Sequence, residues 1–182
     1  FSRKQYSLED VQEKLRSEGP NAFLRYFRAQ EDISPKAPFK DAKTLVEERL
    51  QRLGPTRDLV IIDPYLFPGN PQLGVDEYTE FLANLISSLL EPDAVVKCVV
   101  NSRTDAGVVG LTRTKLEAKA PGVSFEKHQT DDFHDRFWIA DRNRGTVVGT
   151  SFNGLGRKLF FIDELKPGDV ASISEELVKM GI

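Results

Sequence analysis

The sequence is poor in the residues that bind metals or form crosslinks. It contains one cysteine and two histidines among 182 residues. Cys98 has no partner for an internal disulfide, and its place in the apolar run 94–100 predicts a buried thiol. The two histidines, His128 and His134, provide no metal-ligand spacing without further cysteines. We therefore expect no disulfide, no metal site and no other cofactor, and a reducing compartment fits the chain.

The sequence also lacks long apolar runs and a large net charge of either sign. No apolar stretch approaches the roughly 20 residues needed to cross a bilayer, and no charged-then-apolar signal segment opens the chain. The formal net charge of -3 argues against a surface covered in positive potential, although a local basic groove is compatible with it. We expect a cytoplasmic protein or one with a peripheral membrane contact. Because the first residue is Phe1 rather than Met, we also expect additional domains in a longer parent chain.

The rest of the composition is that of a protein with a packed core. Hydrophobic residues make up 40% of the chain and charged residues 29%, as in ordinary globular domains. Helical spacing and capping residues predict two short helices near the N-terminus, one over 7–19 and one that starts at Asn21 and has an aromatic face. The proline-containing segment 34–38 is a predicted connector. We expect residues 1–38 to form an N-terminal helical extension and residues 39–182 to form one domain.

The segment 39–182 alternates between helical and strand patterns. Apolar residues at helical intervals predict helices at 39–53, 78–89, 109–119 and 169–180. Apolar runs and alternating patterns predict strands at 59–62, 94–100, 123–126 and 159–162, and a hairpin formed by 133–141 and 146–152. The order strand, helix, strand implies right-handed parallel crossovers. The predicted fold class is α/β, with a mixed, largely parallel sheet flanked by helices.

The predicted hairpin contains the most informative residues of the chain. His134 and Arg136 are two residues apart, so on a strand both side chains leave the same face. Asp141 follows where that strand reaches its turn, and Ser151 and Asn153 return on the partner strand. An imidazole, a guanidinium, a carboxylate, a hydroxyl and an amide can together bind and activate a phosphoryl group. The set predicts a phosphate-handling site, and the alternative is a hairpin whose charges lie on a solvated rim.

These residues resemble a known motif. The segment His134–Asp141, followed by Ser151-Phe152-Asn153, resembles the phospholipase D superfamily motif, His-x-Lys-x4-Asp and then a small residue, any residue and Asn. Arg136 occupies the Lys position, and the turn at 142–145 is about two residues longer than is usual in the family. Together with Ile62-Asp63-Pro64-Tyr65, the motif is similar to the phospholipase-D-like C-terminal domain of microtubule-interacting-and-trafficking proteins and their bacterial relatives. The resemblance covers the whole predicted domain.

The resemblance implies metal-independent cleavage of a phosphodiester through a phosphohistidine. In that mechanism His134 attacks phosphorus, and Arg136 holds two nonbridging oxygens in place of the usual lysine. Asp141 would fix the tautomer of the imidazole if the loop places it there. Ser151 and Asn153 would complete the cradle around the phosphoryl oxygens.

The acid step of such a reaction requires a second imidazole. His128 lies in a polar stretch without a matching cation or carboxylate, so we interpret it as a surface residue. The expected solution is a twofold homodimer in which each subunit supplies one His134 to a shared cleft. The substrate class that follows is a phosphodiester, with a nucleic acid favoured over a phospholipid.

Further candidates for substrate binding follow the predicted strands, at the strand ends where open α/β sheets bind ligands. They are Asp63, Tyr65, Asn101 and Arg103. Arg157 and Lys158, which follow Gly154-Leu155-Gly156, are candidates for binding flanking phosphates. A turn cap explains Asp63 equally well, and a solvated loop explains the last two nearly as well.

Two other functions compete with the phosphodiesterase. The first is a catalytically inactive binding module, in which the same cleft holds an anionic lipid headgroup, a nucleic acid or a protein partner. The substitution of arginine for lysine and the resemblance to eukaryotic members regarded as membrane-binding favour this module. The second is a sensor or effector domain of a larger bacterial assembly.

Overall fold

In a computed structural model the chain divides into two compact units, Phe1–Asp32 and Ile33–Ile182. The structure describes residues 38–157 and 160–182, together with five helical positions near the N-terminus, which are Glu9, Gln12, Glu13, Arg16 and Ser17. These five positions fall within the first predicted helix. The second predicted N-terminal helix, most of the connector and the candidate Lys158 lie outside the described residues.

The described part of the unit Ile33–Ile182 contains four α-helices and a six-stranded sheet. The helices are α1 (Phe39–Gln51), α2 (Val75–Ser87), α3 (Ala106–Lys119) and α4 (Pro167–Lys179). The strands are β1 (Thr56–Ile62), β2 (Leu90–Val100), β3 (Ser124–Gln129), β4 (Phe137–Ala140), β5 (Arg144–Val148) and β6 (Ile162–Glu164). The predicted class, an α/β fold with a mixed sheet flanked by helices, is confirmed.

The order of strands in the sheet is β3-β2-β1-β4-β5-β6. Strands β1, β2 and β3 are parallel to one another, while β4 is antiparallel to β1, and β5 and β6 continue the antiparallel pairing. The C-terminal ends of β1, β2 and β5 therefore lie at the same edge of the sheet as the N-terminal end of β4. We call this edge the motif edge, and it comprises Asp63–Tyr65, Asn101–Arg103, His134–Arg136 and Gly149–Asn153.

Buried strand residues alternate between two cores, as expected for a sheet covered on both faces. Leu59 and Ile61 of β1 belong to the larger core, which also includes buried residues of α1, α2 and α3. Val60 and Ile62 point the other way and pack in a smaller core with Val170 of α4. Removal of each of these fully buried aliphatic side chains from water stabilises the fold by about 2 kcal/mol. The continuous apolar run in the sequence thus reflects burial on both faces.

The motif hairpin is shorter than predicted at its open end. Strand β4 begins at Phe137, so His134 and Arg136 precede the strand instead of lying within it. The reason is the length of the partner strand, because β5 ends at Val148, whose N–H donates to the carbonyl oxygen of Arg136 at 2.9 Å. No further ladder hydrogen bond reaches His134.

The hairpin turn is also shorter than predicted, since it consists of Asp141, Arg142 and Asn143. Asp141 and Arg142 have φ values of 49° and 59°, and the Asn143 N–H donates to Ala140 O at 3.2 Å. Two successive positive φ values are typical of a type I′ turn, whose twist matches that of the strands. The predicted bounds of the turn, 142–145, are therefore wrong, because Arg144 and Gly145 already pair in β5.

Among the residues that the structure describes, no helix combines the length and the apolar character needed to cross a membrane.

Candidate functional site

Arg136 lies at the centre of the motif edge and is held on two sides. Its Nε is 3.4 Å from Oδ1 of Asp63, and its guanidinium carbon is 5.4 Å from the ring centroid of Tyr65. The pairing follows from the sheet register, since Ile62 pairs with Phe137 and the residues just beyond each strand end become neighbours. An arginine over an aromatic face gains a cation–π attraction of roughly 1 kcal/mol. The side chain retains 18% of its accessible surface.

The guanidinium of Arg136 nevertheless has unused hydrogen-bonding capacity. At 3.4 Å the Nε–H is an ion-pair contact with Asp63 but does not have the geometry of a hydrogen bond. None of the five N–H groups of this guanidinium donates to another described residue. Buried or half-buried donors are rarely left unpaired in proteins. A fixed cation with unused donors is the geometry expected of a receptor for a phosphoryl or carboxylate oxygen.

Asp63 is a buried carboxylic acid at the end of β1, with 1% of its surface exposed. Its Oδ1 accepts a hydrogen bond from the Tyr65 N–H at 2.9 Å, whereas its Oδ2 is buried and has no donor. Burial raises the pKa of Asp63 to about 6, although the Tyr65 N–H and the Arg136 cation oppose that rise. One oxygen of Asp63 therefore caps the turn, as the turn-cap interpretation predicts, and the carboxyl group also contacts Arg136.

His134 is exposed on the motif edge, and it makes no hydrogen bond or ion pair with any residue in the described ranges. The predicted nucleophile therefore lacks a group that fixes its tautomer. His128 lies on β3, where its Nε2 contacts Glu126 Oε2 at 3.2 Å. The two imidazoles are on different segments, and the structure brings no second histidine motif to His134 within this chain.

Asp141 does not lie at the motif edge, and the role of orienting His134 has to be corrected. It follows β4 at the opposite end of the strand, where its Oδ1 accepts hydrogen bonds from Thr56 Oγ1 at 2.8 Å and from the Arg57 N–H at 3.0 Å. Its Oδ2 pairs with Arg144. Partial burial raises the pKa of Asp141, but these hydrogen bonds outweigh that effect and the pKa is lowered. Asp141 therefore joins the hairpin turn to the start of β1.

The segment Ser151–Asn153 lies at the motif edge but forms a short 3-10 turn over Phe152–Gly154 in place of the predicted strand. Phe152 is buried and packs edge-to-face against Trp138, with ring centroids 5.6 Å apart. Asn153 Oδ1 accepts the Gln72 N–H at 2.6 Å, which ties the turn to the loop after β1. The hydroxyl of Ser151 and the amide nitrogen of Asn153 donate no hydrogen bond to other described residues, so both are available to a ligand.

The remaining candidates, Asn101, Arg103 and Arg157, are less closely connected to Arg136. Asn101 Oδ1 accepts the Arg103 N–H at 2.9 Å, which forms a local turn after β2. Arg103 and Arg157 are exposed. The strand register places Asn101 and Arg103 on the motif edge, and Arg157 follows the turn that contains Asn153.

Two residues near the site were not identified from the sequence. Phe161 is 50% exposed and lies beside Gly149, whose N–H donates to the Phe161 carbonyl at 2.8 Å. The sequence feature that could have identified Phe161 is the consecutive pair Phe160-Phe161, since alternation in a strand buries one side chain and exposes the other. Tyr78 of α2 is buried close to Asp63, and its hydroxyl donates to Leu66 O at 2.7 Å. Nothing in the helical pattern distinguishes Tyr78 from an ordinary core residue.

No cluster of three or more His, Cys, Asp or Glu side chains suited to a metal ion occurs in the described part of the chain. The chemistry that the motif edge offers is therefore that of an arginine, an exposed imidazole, a buried carboxyl group and neutral donors.

Comparison with known proteins gives little further information. No family model matches the chain, and no curated protein matches it. Among solved structures the chain is similar to TrmBL2, an archaeal chromatin protein described as showing a novel mode of DNA binding, with 13% sequence identity and a TM-score of 0.41. The match covers 94% of this chain and 63% of that chain. A likeness at this TM-score supports no conclusion about function.

Proposed function

We propose that the motif edge binds a phosphoester and that Arg136 is its principal anion ligand. The observation that carries the proposal is the state of the Arg136 guanidinium, which is held by Asp63 and Tyr65 while none of its N–H groups is used by another described residue. A charge-assisted bidentate contact with a phosphoryl group would use those donors. The hydroxyl of Ser151 and the amide of Asn153 would add neutral donors along the same edge.

The binding proposal is tested by titrating the protein with a fluorescently labelled oligothymidylate and following anisotropy. Arg136→Gln should weaken binding at least about tenfold, because it removes a hydrogen-bonded charge. Arg136→Lys should recover only part of the affinity, since lysine lacks the planar fork. Arg52→Gln is the matched control, because Arg52 is an exposed arginine after α1 whose nearest carboxylate is 4.0 Å away. Equal affinity of wild type and Arg136→Gln contradicts the proposal.

Single-stranded nucleic acid is the ligand class that the motif edge favours. Tyr65 and Phe161 are 49% and 50% exposed, and the strand order places Arg136 between them. Exposed rings beside a phosphate-binding cation can stack unpaired bases.

The ligand class is tested with Tyr65→Leu and Tyr65→Phe. If bases stack on this ring, the leucine variant should bind oligothymidylate several-fold more weakly while the phenylalanine variant retains affinity. Vesicles that contain anionic phospholipid provide the comparison. Tight binding to such vesicles, together with weak binding to oligothymidylate, would assign the edge to a lipid headgroup and overturn the nucleic-acid assignment.

The second candidate function is a metal-independent phosphodiesterase, with His134 as the nucleophile in a homodimer. The observation that favours it is the position of His134, which is exposed and unpaired two residues before Arg136 on the same edge. The position of Asp141 at the opposite end of β4 weakens this candidate function, because no described carboxylate contacts His134. In the dimer, the acid imidazole would come from the partner subunit's copy of the motif.

Catalysis is tested by incubating the protein with labelled single-stranded DNA, RNA and a generic phosphodiester in EDTA. Turnover that persists in EDTA and disappears in His134→Ala supports the phosphodiesterase. His128→Ala is the matched control, since β2 and β1 lie between β3, which carries His128, and β4 in the sheet. Binding without turnover leaves the protein as a binding module. We place either activity in the cytoplasm, and the buried free thiol of Cys98 supports a reducing compartment.

A further inference from the structure

The carboxyl group of Asp63 is buried, and Arg136 is its one cationic contact among the described residues. Arg136 faces it from the segment before β4, at 3.4 Å, and the Tyr65 N–H faces it from its own loop. Tyr78 of α2 and Cys98 of β2 lie near enough for the charge of Asp63 to add to the effect of burial, which raises the pKa of each. Both of those groups are therefore neutral around pH 7.

The two oxygens of this carboxyl group are not equivalent. Oδ1 accepts the Tyr65 N–H, while Oδ2 is buried and receives no hydrogen bond. The Tyr78 hydroxyl is not a partner for Oδ2, because it donates to the Leu66 carbonyl. Oδ2 is thus the oxygen on which a proton can reside without displacing an existing hydrogen bond.

We infer that the site binds its phosphoester together with a proton, which Asp63 takes up on Oδ2 from solvent as the anion occupies Arg136. The inference rests on the proposed function of Arg136 as the anion ligand. The negative charge of the bound anion offsets the positive charge of the guanidinium, which stabilises the buried carboxylate of Asp63. A buried carboxylate without a compensating cation becomes protonated. Asp63 is therefore a positioning residue, because it acts on the ligand through Arg136.

The ligand-free state is poised for such an exchange, since the pKa of Asp63 is about 6. A further rise of about one unit on anion binding would correspond to uptake of about half a proton at pH 6.5. Affinity should then decrease about fivefold as the pH rises from 6 to 8. The ligand itself must not release or bind protons in this range, and a phosphodiester such as oligothymidylate meets that requirement.

The experiment is calorimetric titration of the protein with oligothymidylate at pH 6.5 in two buffers of different ionisation enthalpy. The difference between the two apparent binding enthalpies gives the number of protons taken up. Imidazole side chains also exchange protons near neutral pH, and His134 lies on the same edge. The titration is therefore made with wild type, His134→Gln and Asp63→Asn. We expect uptake to persist in His134→Gln and to disappear in Asp63→Asn.

The outcomes separate this inference from the proposed function. Binding with no proton uptake, or uptake that disappears in His134→Gln and persists in Asp63→Asn, overturns the role of Asp63 and leaves the anion site intact. Absence of binding by wild type overturns the anion site and this inference together. If Asp63→Asn does not fold, the pKa of Asp63 is measured directly in wild type. The 13C resonance of its carboxyl group is followed from pH 4 to 8 with and without oligothymidylate. A pKa that does not rise on binding overturns the inference.

Discussion

Arg136 and Asp63 form an ion-pair contact without a hydrogen bond. The separation of 3.4 Å and the absence of a hydrogen bond to Asp63 Oδ2 show that neither partner is fully satisfied by the other. A pair optimised for stability alone would be bidentate. Incomplete pairing at an edge where strands end is instead characteristic of groups that exchange partners during binding.

The raised pKa of Asp63 predicts a definite pH dependence of stability. The folded protein binds a proton at Asp63 more tightly than the unfolded chain does, so the free energy of unfolding decreases as the pH rises from about 4 to about 6. The shift of about two units corresponds to a loss of about 3 kcal/mol. Urea denaturation at pH 4, 5, 6 and 7 should show this trend reduced in Asp63→Asn relative to wild type. Parallel pH profiles for the two proteins would contradict it.

At the scale of elements, β4 separates two groups of residues that the sequence motif had joined. The four residues of β4 lie between Arg136 and Asp141, and these five steps of extended chain correspond to roughly 16 Å. Arg136 is at the motif edge, whereas Asp141 receives hydrogen bonds from the first residues of β1. The spacing in the motif is thus the length of one strand, with Arg136 before the strand and Asp141, which is hydrogen-bonded to the start of β1, after it.

Asp141→Ala should therefore destabilise the fold without changing the anion site. Loss of hydrogen bonds to Thr56 and Arg57 should cost about 2 kcal/mol of unfolding free energy. Because the pKa of Asp141 is lowered in the folded state, its contribution is present above the unfolded pKa and is lost as the pH falls through the folded value. Chemical denaturation at pH 7 and oligothymidylate binding measure the two effects. Reduced affinity at unchanged stability would restore Asp141 to the site.

The aromatic residues of the turn after β5 provide a second prediction at this scale. Phe152→Ala removes a buried ring that contacts Trp138 and Phe81, so it should cost about 4 kcal/mol. Phe161→Ala is the matched control, because that ring is half exposed and its loss should change stability by no more than about 0.5 kcal/mol. Thermal unfolding of the two variants makes the comparison. Similar destabilisation would show that Phe161 is a core residue and not part of a binding surface.

Sequence patterns predicted the elements well because burial sets their period. The apolar runs of β1 and β2 and the helical spacing of α1 and α2 are direct consequences of packing on two sheet faces. The hairpin limits were mispredicted because they depend on the conformation of Asp141 and Arg142, two residues with positive φ that composition does not reveal. The pairing of Asp63 with Arg136 required the strand order, which brings residues 73 positions apart to neighbouring strand ends.

At the scale of the whole molecule, the formal charge of -3 does not exclude a local site for an anion. At the opposite end of β1, basic and acidic groups neutralise one another in contacts such as Lys97 with Asp58 and Arg142 with Asp58. Arg136 has instead a carboxyl partner that can be neutralised by a proton. The anion site proposed for this edge is thus compatible with a protein whose total charge is negative.

The phosphodiesterase candidate makes a prediction that concerns two molecules at once. If each cleft requires one His134 from each of two subunits, a mixture of wild type and His134→Ala that has been unfolded and refolded together contains heterodimers with one imidazole. Activity should then fall with the square of the wild-type fraction, so an equal mixture retains about a quarter of the activity per total protein. Single-turnover rates in EDTA, with the mass in solution measured on the same samples, give the dependence.

A linear decrease in those mixtures would mean that each subunit acts alone. A monomeric mass with full activity would have the same meaning, because a monomer cannot pair two copies of His134. Oligothymidylate binding by the same mixtures should be unaffected by their composition, since the anion site depends on Arg136 and Asp63 of one chain. The contrast between a quadratic activity and a constant affinity would separate the role of the imidazole, which requires a partner, from that of the guanidinium, which does not.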